Sequence, residues 1–356
     1  MSRDRVLVTG ACGFIGHHVV EHLMKHTDWD VVCLESLTYA ASANRLTSMH
    51  DWDAYAQRVA FVFHNLQSEI GAVTSQLIGH VDYILHLAAE THVDRSLQDA
   101  KPFVLSNVLG TLHMLEFARQ LQIKKYIQIS TDEVYGPAPA GVLFKEWDRV
   151  CPSNPYAATK VGADALAIAF AKSYRLPILI SRTMNNFGER QHPEKLLPKA
   201  VKRILLGQRI PIHSDLAHLG VTEYVGDDAA VPDERIGSRT WLHARNHADA
   251  LLFLLRNETE PGDIFNVSGN VEVNNRALCQ MVAKVLGREA TFEYVDFHRA
   301  RPGHDMRYGL DGTRLRELGW TPPVGFEQSL ATTVRWYYDH AEWLGILGEA
   351  ENMVVA

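Results

Sequence analysis

The first half of the chain alternates short apolar runs with amphipathic stretches. Runs rich in β-branched residues predict six strands, at 5–9, 30–34, 59–63, 81–87, 125–130 and 177–181. Between them, apolar residues recur at helical spacing, most regularly over 107–121 and 156–173. Because the runs are almost continuously apolar and alternate with helices, they predict an α/β fold whose parallel sheet is covered on both faces.

The second half has a looser pattern. It predicts helices at 195–206, 275–286 and 326–343 and strands at 263–267 and 291–297. We therefore expect a nucleotide-binding domain at 1–182 and a smaller α/β substrate lobe at 183–350. The stretch 239–256 reads as a strand followed by a helix, and we expect it to return to the first domain.

Composition narrows the function. Hydrophobic residues make up 46% of the chain, which is ordinary for a globular protein. The net charge is −7, so the chain has no surplus of positive charge with which to bind nucleic acid. No apolar run is long enough to span a membrane, and the chain enters its first strand with no signal peptide, so we expect a cytoplasmic protein. The four cysteines form no C-x-x-C pair, which predicts reduced thiols and no metal site.

Three glycines separate the first predicted strand from the first helix. Gly10, Gly13 and Gly16 have the spacing of a dinucleotide-binding turn in a Rossmann-type, doubly wound sheet. Glu35 ends the next strand, where a carboxylate can bind both hydroxyls of the adenosine ribose. A 2′-phosphate would meet that carboxylate, so the sequence favours NAD over NADP.

A second group of polar residues follows the fifth predicted strand. Thr131, Asp132 and Glu133 end this strand, and Tyr156 and Lys160 share one face of a later helix. A lysine near a tyrosine should lower the tyrosine pKa, so that Tyr156 can take a proton while hydride leaves for NAD. Adjacent carboxylates repel each other, which keeps one of them protonated and provides an acid and a base together.

Several longer stretches now point to one family. They are VTGACGFIG (8–16), LTYA (37–40), HLAAETHVDRS (86–96), STDEVYG (130–136), NPYAATK (154–160), NNFGERQHPEKLLP (185–198), RPGHDMRYGLD (301–311) and LGW (318–320). Along most of its length the chain resembles the extended short-chain dehydrogenase/reductases, and within them the nucleotide-sugar 4,6-dehydratases, such as those acting on dTDP-glucose. The resemblance implies a lyase of deoxysugar biosynthesis that uses NAD, takes a nucleotide-diphosphate sugar and forms a homodimer. The dimer would use the helices at 107–121 and 156–173, although their apolar faces could equally be buried within one subunit.

The resemblance also implies a role for each catalytic residue. Tyr156 would be the base for oxidation at C4, with Lys160 tuning it and holding the nicotinamide ribose. Thr131 would bind the C4 hydroxyl, Asp132 would protonate the departing C6 hydroxyl, and Glu133 would remove the C5 proton. The implied cofactor contacts are Gly10, Gly13, Phe14, Ile15, Gly16, Glu35, Asn65, Leu66, Ala88, Tyr156 and Lys160. The implied substrate contacts are Glu90, His92, Asn186, Lys195, Leu196, Arg239, Asn266, Arg301 and His304.

Some positions depart from the family pattern. Asn65 stands where the family usually has an aspartate, Glu35 replaces a commoner aspartate, and the stretch 237–247 is altered. An apparent insertion at 216–236 is either a lid over the substrate or a solvated loop. These changes leave the nucleotide base open.

Two other functions remain open at this point. A 4-epimerase or decarboxylase of the same superfamily would use the same tyrosine and lysine, and a simple 4-epimerase needs no acid–base pair such as Asp132 and Glu133. A non-catalytic NAD-binding protein should have lost Tyr156 or Lys160, and both are present.

Overall fold

The computed structural model describes residues 3–297 and 305–346. Its strands, in chain order, are β1 (Arg5–Thr9), β2 (Asp30–Glu35), β3 (Val59–Phe63), β4 (Tyr83–His86), β5 (Lys125–Thr131), β6 (Ile178–Thr183), β7 (Asn186–Phe187), β8 (Ile210–Ser214), β9 (Glu223–Tyr224), β10 (Ser238–Thr240), β11 (Leu242–His243), β12 (Ile264–Val267), β13 (Glu272–Asn274) and β14 (Phe292–Asp296). Its helices are α1 (Phe14–His26), α2 (Asn44–Thr47), α3 (Trp52–Tyr55), α4 (Ala72–Ile78), α5 (Val93–Gln98), α6 (Lys101–Phe103), α7 (Gly110–Arg119), α8 (Pro155–Tyr174), α9 (Leu196–Leu205), α10 (Ala244–Arg256), α11 (Asn275–Leu286), α12 (Thr313–Glu317) and α13 (Phe326–Asp339). None of the described helices is both long and apolar enough to cross a membrane.

The main sheet confirms the predicted fold class. Seven parallel strands lie in the order β12-β6-β5-β4-β1-β2-β3. One face packs against α1 and α10, and the other packs against α7 and α8, so the strands are buried on both sides. The strand order reverses between β1 and β4, which opens a crevice at their carboxyl ends where such sheets bind ligands.

The second lobe has its own core. Helices α9, α11 and α13 pack together beside a small sheet of order β8-β14-β9. Between α9 and α11 the chain returns to the main sheet. The helix that returns is α10, which lies within the predicted stretch 239–256. The strand part of that expectation is wrong, because β10 and β11 pair with β13 and β7, whereas β12 joins the main sheet beside β6.

The helix predicted at 107–121 begins earlier, because α6 and α7 are joined by a π-helical segment over Val104–Leu109. Asn107 lies in this segment. Its side chain bonds the backbone of Glu90, with N–H to Oδ1 at 2.8 Å and Nδ2 to the carbonyl at 2.9 Å. The wider turn therefore fixes the segment that follows β4 at the edge of the crevice.

The 216–236 segment is an anchored surface loop. Leu216, Val231 and Ile236 are buried in the core of the second lobe. Arg276 donates to the carbonyls of Asp228 and Val231 at 2.8 and 2.9 Å. None of the residues at 216–236 lines the cleft described below.

Candidate active site

A cleft of about 750 Å³ lies at the carboxyl ends of the strands, between the main sheet and the second lobe. It brings together residues that are far apart in the sequence. The predicted site residues that line it are Gly10, Gly13, Phe14, Ile15, Gly16, Glu35, Asn65, Leu66, Ala88, Glu90, His92, Thr131, Asp132, Glu133, Tyr156, Lys160, Asn186, Lys195, Leu196 and Arg239. The residues predicted to bind the cofactor and those predicted to bind the substrate therefore line one continuous cleft.

The glycine turn has the geometry of a dinucleotide cradle. Gly10 has a φ of +69°, and a Cβ there would lie 2.9 Å from the backbone of Ala88. A Cβ on Gly16 would collide with the carbonyl oxygen of Gly10. Helix α1 begins at Phe14, so its free N–H groups and positive dipole end face the cleft, where a pyrophosphate fits.

Glu35 is held beside this turn. Its Oε2 accepts from the N–H of Cys12 at 2.9 Å, and its Oε1 accepts from the N–H groups of Ser36 and Leu37 at 2.9 and 3.1 Å. The carboxyl group is therefore buried and fixed in place where the adenosine ribose of NAD is predicted to lie. Asn65 lines the same end of the cleft, and its Oδ1 accepts from the N–H of Gln67 at 3.0 Å.

Asp132 is buried at the end of β5. The Thr131 hydroxyl donates to its Oδ1 at 3.0 Å, whereas Oδ2 has no hydrogen-bond partner in the part of the chain that is described. Burial, and then the charge of Glu133, raise the pKa of Asp132 from 3.8 to about 7. This carboxyl group can therefore carry a proton near neutral pH and act as an acid.

Glu133 is oriented by two donors. Its Oε2 accepts from Asn154 Nδ2 at 3.1 Å and from the hydroxyl of Tyr308 at 3.3 Å. Tyr308 is buried, and the Arg239 guanidinium lies 4.6 Å from the centre of its ring. Sequence reasoning did not single out Tyr308, although it lies in the RPGHDMRYGLD stretch that carries the family resemblance.

Tyr156 and Lys160 lie one turn apart on α8, and both are buried. Lys160 Nζ donates to the carbonyl of Ile129 at 2.7 Å, and burial lowers the pKa of Lys160 to about 8. The expected lowering of the Tyr156 pKa is wrong for the protein alone. Burial, followed by the charge of Glu133, raises that pKa, although a hydrogen bond with Thr131 opposes the shift.

The far side of the cleft is polar. Asn186 Nδ2 donates to Thr183 Oγ1 at 2.9 Å, while its Oδ1 is buried without a partner among residues 3–297 and 305–346. Glu194 lies 3.3 Å from His92 Nε2 and 3.8 Å from Lys195 Nζ. Glu194 lies in the NNFGERQHPEKLLP stretch but was not predicted as a site residue. The structure shows it in the cleft between these two predicted contacts.

The predicted phosphate ligand Arg239 is held by backbone carbonyl groups. It donates to the carbonyls of Ser238, Met306 and Asp305 at 2.7, 2.7 and 2.6 Å. These bonds join β10 to the residues after position 304 and fix the guanidinium at the cleft wall. Burial raises the pKa of Glu90, a carboxyl group on the opposite wall.

The predicted substrate contact Asn266 lies away from the cleft. Asn266 is fully buried in β12 and does not line the cleft. Its Oδ1 accepts from the Tyr135 hydroxyl at 3.0 Å, and its Nδ2 donates to the Phe144 carbonyl at 3.0 Å. It therefore stabilises the packing behind the site. The predicted contacts Arg301 and His304 lie outside the described residues.

The comparisons with known proteins agree with this geometry. The family model described as GDP-mannose 4,6-dehydratase matches residues 7–333. The low-salt glycan biosynthesis protein Agl12 of Haloferax volcanii is 37% identical over 93% of this chain and 98% of that protein. The dTDP-glucose 4,6-dehydratase of Streptomyces niveus is 35% identical over 95% of this chain and 94% of that enzyme.

Solved structures of NAD-binding nucleotide-sugar enzymes share this fold over almost the whole chain. The Streptomyces venezuelae dTDP-glucose 4,6-dehydratase DesIV, with NAD and TYD bound, has a TM-score of 0.81 and 36% identity, covering 95% of this chain and 98% of that one. The Thermus thermophilus UDP-glucose 4-epimerase, in complex with NAD, has a TM-score of 0.79 and 26% identity, covering 94% of this chain and 98% of that one.

Proposed function

The chain belongs to the GDP-mannose 4,6-dehydratase family, and on that premise we propose how its cleft carries out the reaction. The protein is an NAD-dependent nucleotide-sugar 4,6-dehydratase, which converts an NDP-hexose into an NDP-4-keto-6-deoxyhexose. The observation that carries the proposal is the buried Asp132 beside Glu133, on the same cleft wall as Tyr156 and Lys160.

The first step is oxidation at C4. When bound, NAD accepts the C4 hydride and later returns it to C6. Tyr156 takes the proton of the C4 hydroxyl, and Thr131 holds that hydroxyl. Tyr156 would take this proton as its phenolate, and the positive charge of an oxidised nicotinamide held in this cleft would favour that form against the effect of burial.

The second step is loss of water. Once C4 is a ketone, the C5 proton is acidic, because the electrons left behind form an enolate. Glu133 removes this proton, and protonated Asp132 gives its proton to the C6 hydroxyl as the C6–O bond breaks. A C5–C6 double bond and one water molecule result. Hydride return to C6 and proton return to C5 complete the 4-keto-6-deoxy sugar.

The proposed substrate is dTDP-glucose. The relatives named as dTDP-glucose 4,6-dehydratases support this, at 33–36% identity over at least 95% of this chain. The likeness to a UDP-glucose 4-epimerase supports a second candidate with the same tyrosine and lysine. That candidate gives no use to Asp132 and Glu133, so we favour the dehydratase.

We also propose a homodimer in the cytoplasm. The face formed by the π-helical segment Val104–Leu109, α7 and α8 carries small and apolar side chains that are partly or fully exposed in one copy. These residues are Leu105, Leu109, Leu112, Ala158, Ala165 and Ala169. A second copy of the same face would bury them as a four-helix bundle, which sedimentation velocity would detect as a dimer. All four cysteines are free thiols, which fits a reducing compartment.

A mass-spectrometric screen tests the function. The purified protein is incubated with dTDP-, UDP-, GDP- and CDP-glucose, GDP-mannose and UDP-N-acetylglucosamine. We expect dTDP-glucose to lose one water molecule. A product of unchanged mass that separates from its substrate by chromatography would instead identify an epimerase.

A double variant tests the roles. Asp132→Asn with Glu133→Gln should still oxidise C4 and accumulate NADH absorbance, but it should release no water. The adjacent acidic pair Asp233 and Glu234 provides a matched control, because both are exposed and lie outside the cleft. Asp233→Asn with Glu234→Gln should turn over normally. Normal turnover in the Asp132 and Glu133 variant would overturn the assignment.

A further inference from the structure

We infer that Arg45 is a positioning residue that closes the adenosine end of the cleft and retains NAD between turnovers. Arg45 lies in the segment 36–49, between β2 and α3, which we call the strap. The strap lines the cleft through residues that include Ser36, Thr38 and Ala41. Its position places it opposite the glycine turn.

One buried guanidinium joins three parts of the fold. Arg45 is 4% exposed, and its Nη1 donates to the carbonyls of Cys12 and Ala40 at 2.9 and 2.6 Å. Its Nε donates to the carbonyl of Arg190, in the second lobe, at 3.0 Å. The glycine turn, the strap and the second lobe are thus held by one side chain, through bonds that its positive charge strengthens.

The neighbouring contacts extend this connection. The N–H of Ser42 donates to the Cys12 carbonyl at 3.1 Å, which adds a second link from strap to turn. The Arg190 side chain donates back to the strap, to Ser48 Oγ at 3.1 Å and to the Ser48 carbonyl at 2.9 Å. The next residue, Gln191, donates its backbone N–H to the Tyr337 hydroxyl oxygen at 2.8 Å, which ties the loop to α13.

These Arg45 contacts, which we call the clamp, lie beside Glu35, the residue that would bind the ribose. Glu35 bonds the N–H of Cys12 on one side and the N–H groups of Ser36 and Leu37 on the other. An adenosine bound there would sit between the glycine turn and the strap. For it to leave, the two must separate, and Arg45 holds them together.

Retention has a chemical reason, which rests on the proposed function. Hydride taken from C4 returns to C6, so the cofactor is regenerated within each turnover and has no need to dissociate. A dehydrogenase with a net redox change would gain nothing from such a clamp. The charge-assisted bonds of Arg45 therefore favour slow release of the cofactor.

The test measures release of NAD. Arg45→Met keeps the apolar stem and removes all three bonds, and Arg45→Lys keeps the charge but loses the planar fork. Arg58 is the matched control: it also donates to three carbonyls, of Met24, Thr27 and Trp29, at 2.7, 2.9 and 3.2 Å, and it does not line the cleft. Each variant is purified, its bound NAD is extracted and quantified, and NAD dissociation is timed after dilution.

We expect Arg45→Met to release NAD at least about tenfold faster than wild type, which corresponds to ~1.4 kcal/mol, and to purify with less NAD. Arg45→Lys should release NAD at a rate between those of wild type and Arg45→Met, and Arg58→Met should release NAD at the wild-type rate. Wild-type retention in the Arg45 variants, or equally fast release from Arg58→Met, would overturn the inference. If Arg45→Met does not fold, Arg45→Lys decides. Because the assay measures release and not dehydration, a protein that retains NAD but dehydrates no sugar would contradict the proposed function alone.

Discussion

Replacing Asp132 by asparagine should make the protein more stable at alkaline pH while removing its dehydratase activity. The side chain is 4% exposed, and burial and Glu133 raise its pKa from 3.8 to about 7. In that interval the folded protein binds a proton that the unfolded chain has already released. The stability is therefore highest below about pH 4 and is lost as the pH rises through 7.

The size of the effect follows from the two pKa values. One pH unit of difference corresponds to about 1.4 kcal/mol, so ionising Asp132 in its buried position lowers the free energy of unfolding by roughly 4 kcal/mol above pH 7. Asparagine carries no charge at any pH, and its Oδ1 can still accept the Thr131 hydroxyl. The variant should therefore recover most of this free energy at alkaline pH and almost none at acid pH.

Urea unfolding of the NAD-saturated proteins at about pH 4 and about pH 8.5 measures this, because saturation keeps the ligand contribution the same. Asp53→Asn is the control, since Asp53 is exposed and should give equal stability changes at both pH values. If Asp132→Asn changed the free energy of unfolding equally at both pH values, the prediction would be wrong. It would also fail if the variant were less stable than wild type at the higher pH.

Three further outcomes are expected. Tyr156→Phe should lower kcat by about 10²–10⁴-fold with bound NAD unchanged, because it removes the proton acceptor; near-normal steady-state rates would place the base elsewhere. Gly16→Ala should abolish NAD binding and lower the Tm, because its Cβ collides with the Gly10 carbonyl, whereas Gly71→Ala, which meets no atom within 4 Å, should do neither. Arg239→Met should raise KM for the nucleotide sugar more than it lowers kcat, and an unchanged KM in initial-rate assays would remove Arg239 from the substrate site.

Much of the main sheet follows from local pattern. The apolar runs at 30–34 and 59–63 became β2 and β3 because a parallel strand buried on both faces must be apolar throughout. The strand expected at the start of the 239–256 stretch did not join the main sheet. Its residues are compatible with a short edge strand as well as with a central strand. The 263–267 run occupies the position beside β6 in the main sheet, and packing there selects it.

The site was predictable where a motif joins residue type to position in an element. The glycine turn and the Tyr156–Lys160 pair depend on contacts within a few residues, so their spacing alone carries the geometry. The burial of Asn266 could not be predicted, because nothing local tells a cleft asparagine from one that bonds Tyr135 inside the core. Tyr308 was missed because its partner, Glu133, is 175 residues away.

The sequence by itself determined the fold class, the glycine turn and the adjacent carboxyl groups of Asp132 and Glu133, because these depend on hydrophobic period, backbone freedom and residue type along short stretches. Only the tertiary structure decided the pKa of Asp132, the direction of the Tyr156 shift and the three carbonyls around Arg45. Those properties arise from desolvation and from contacts between distant segments. They exist only once the two lobes have packed around the cleft.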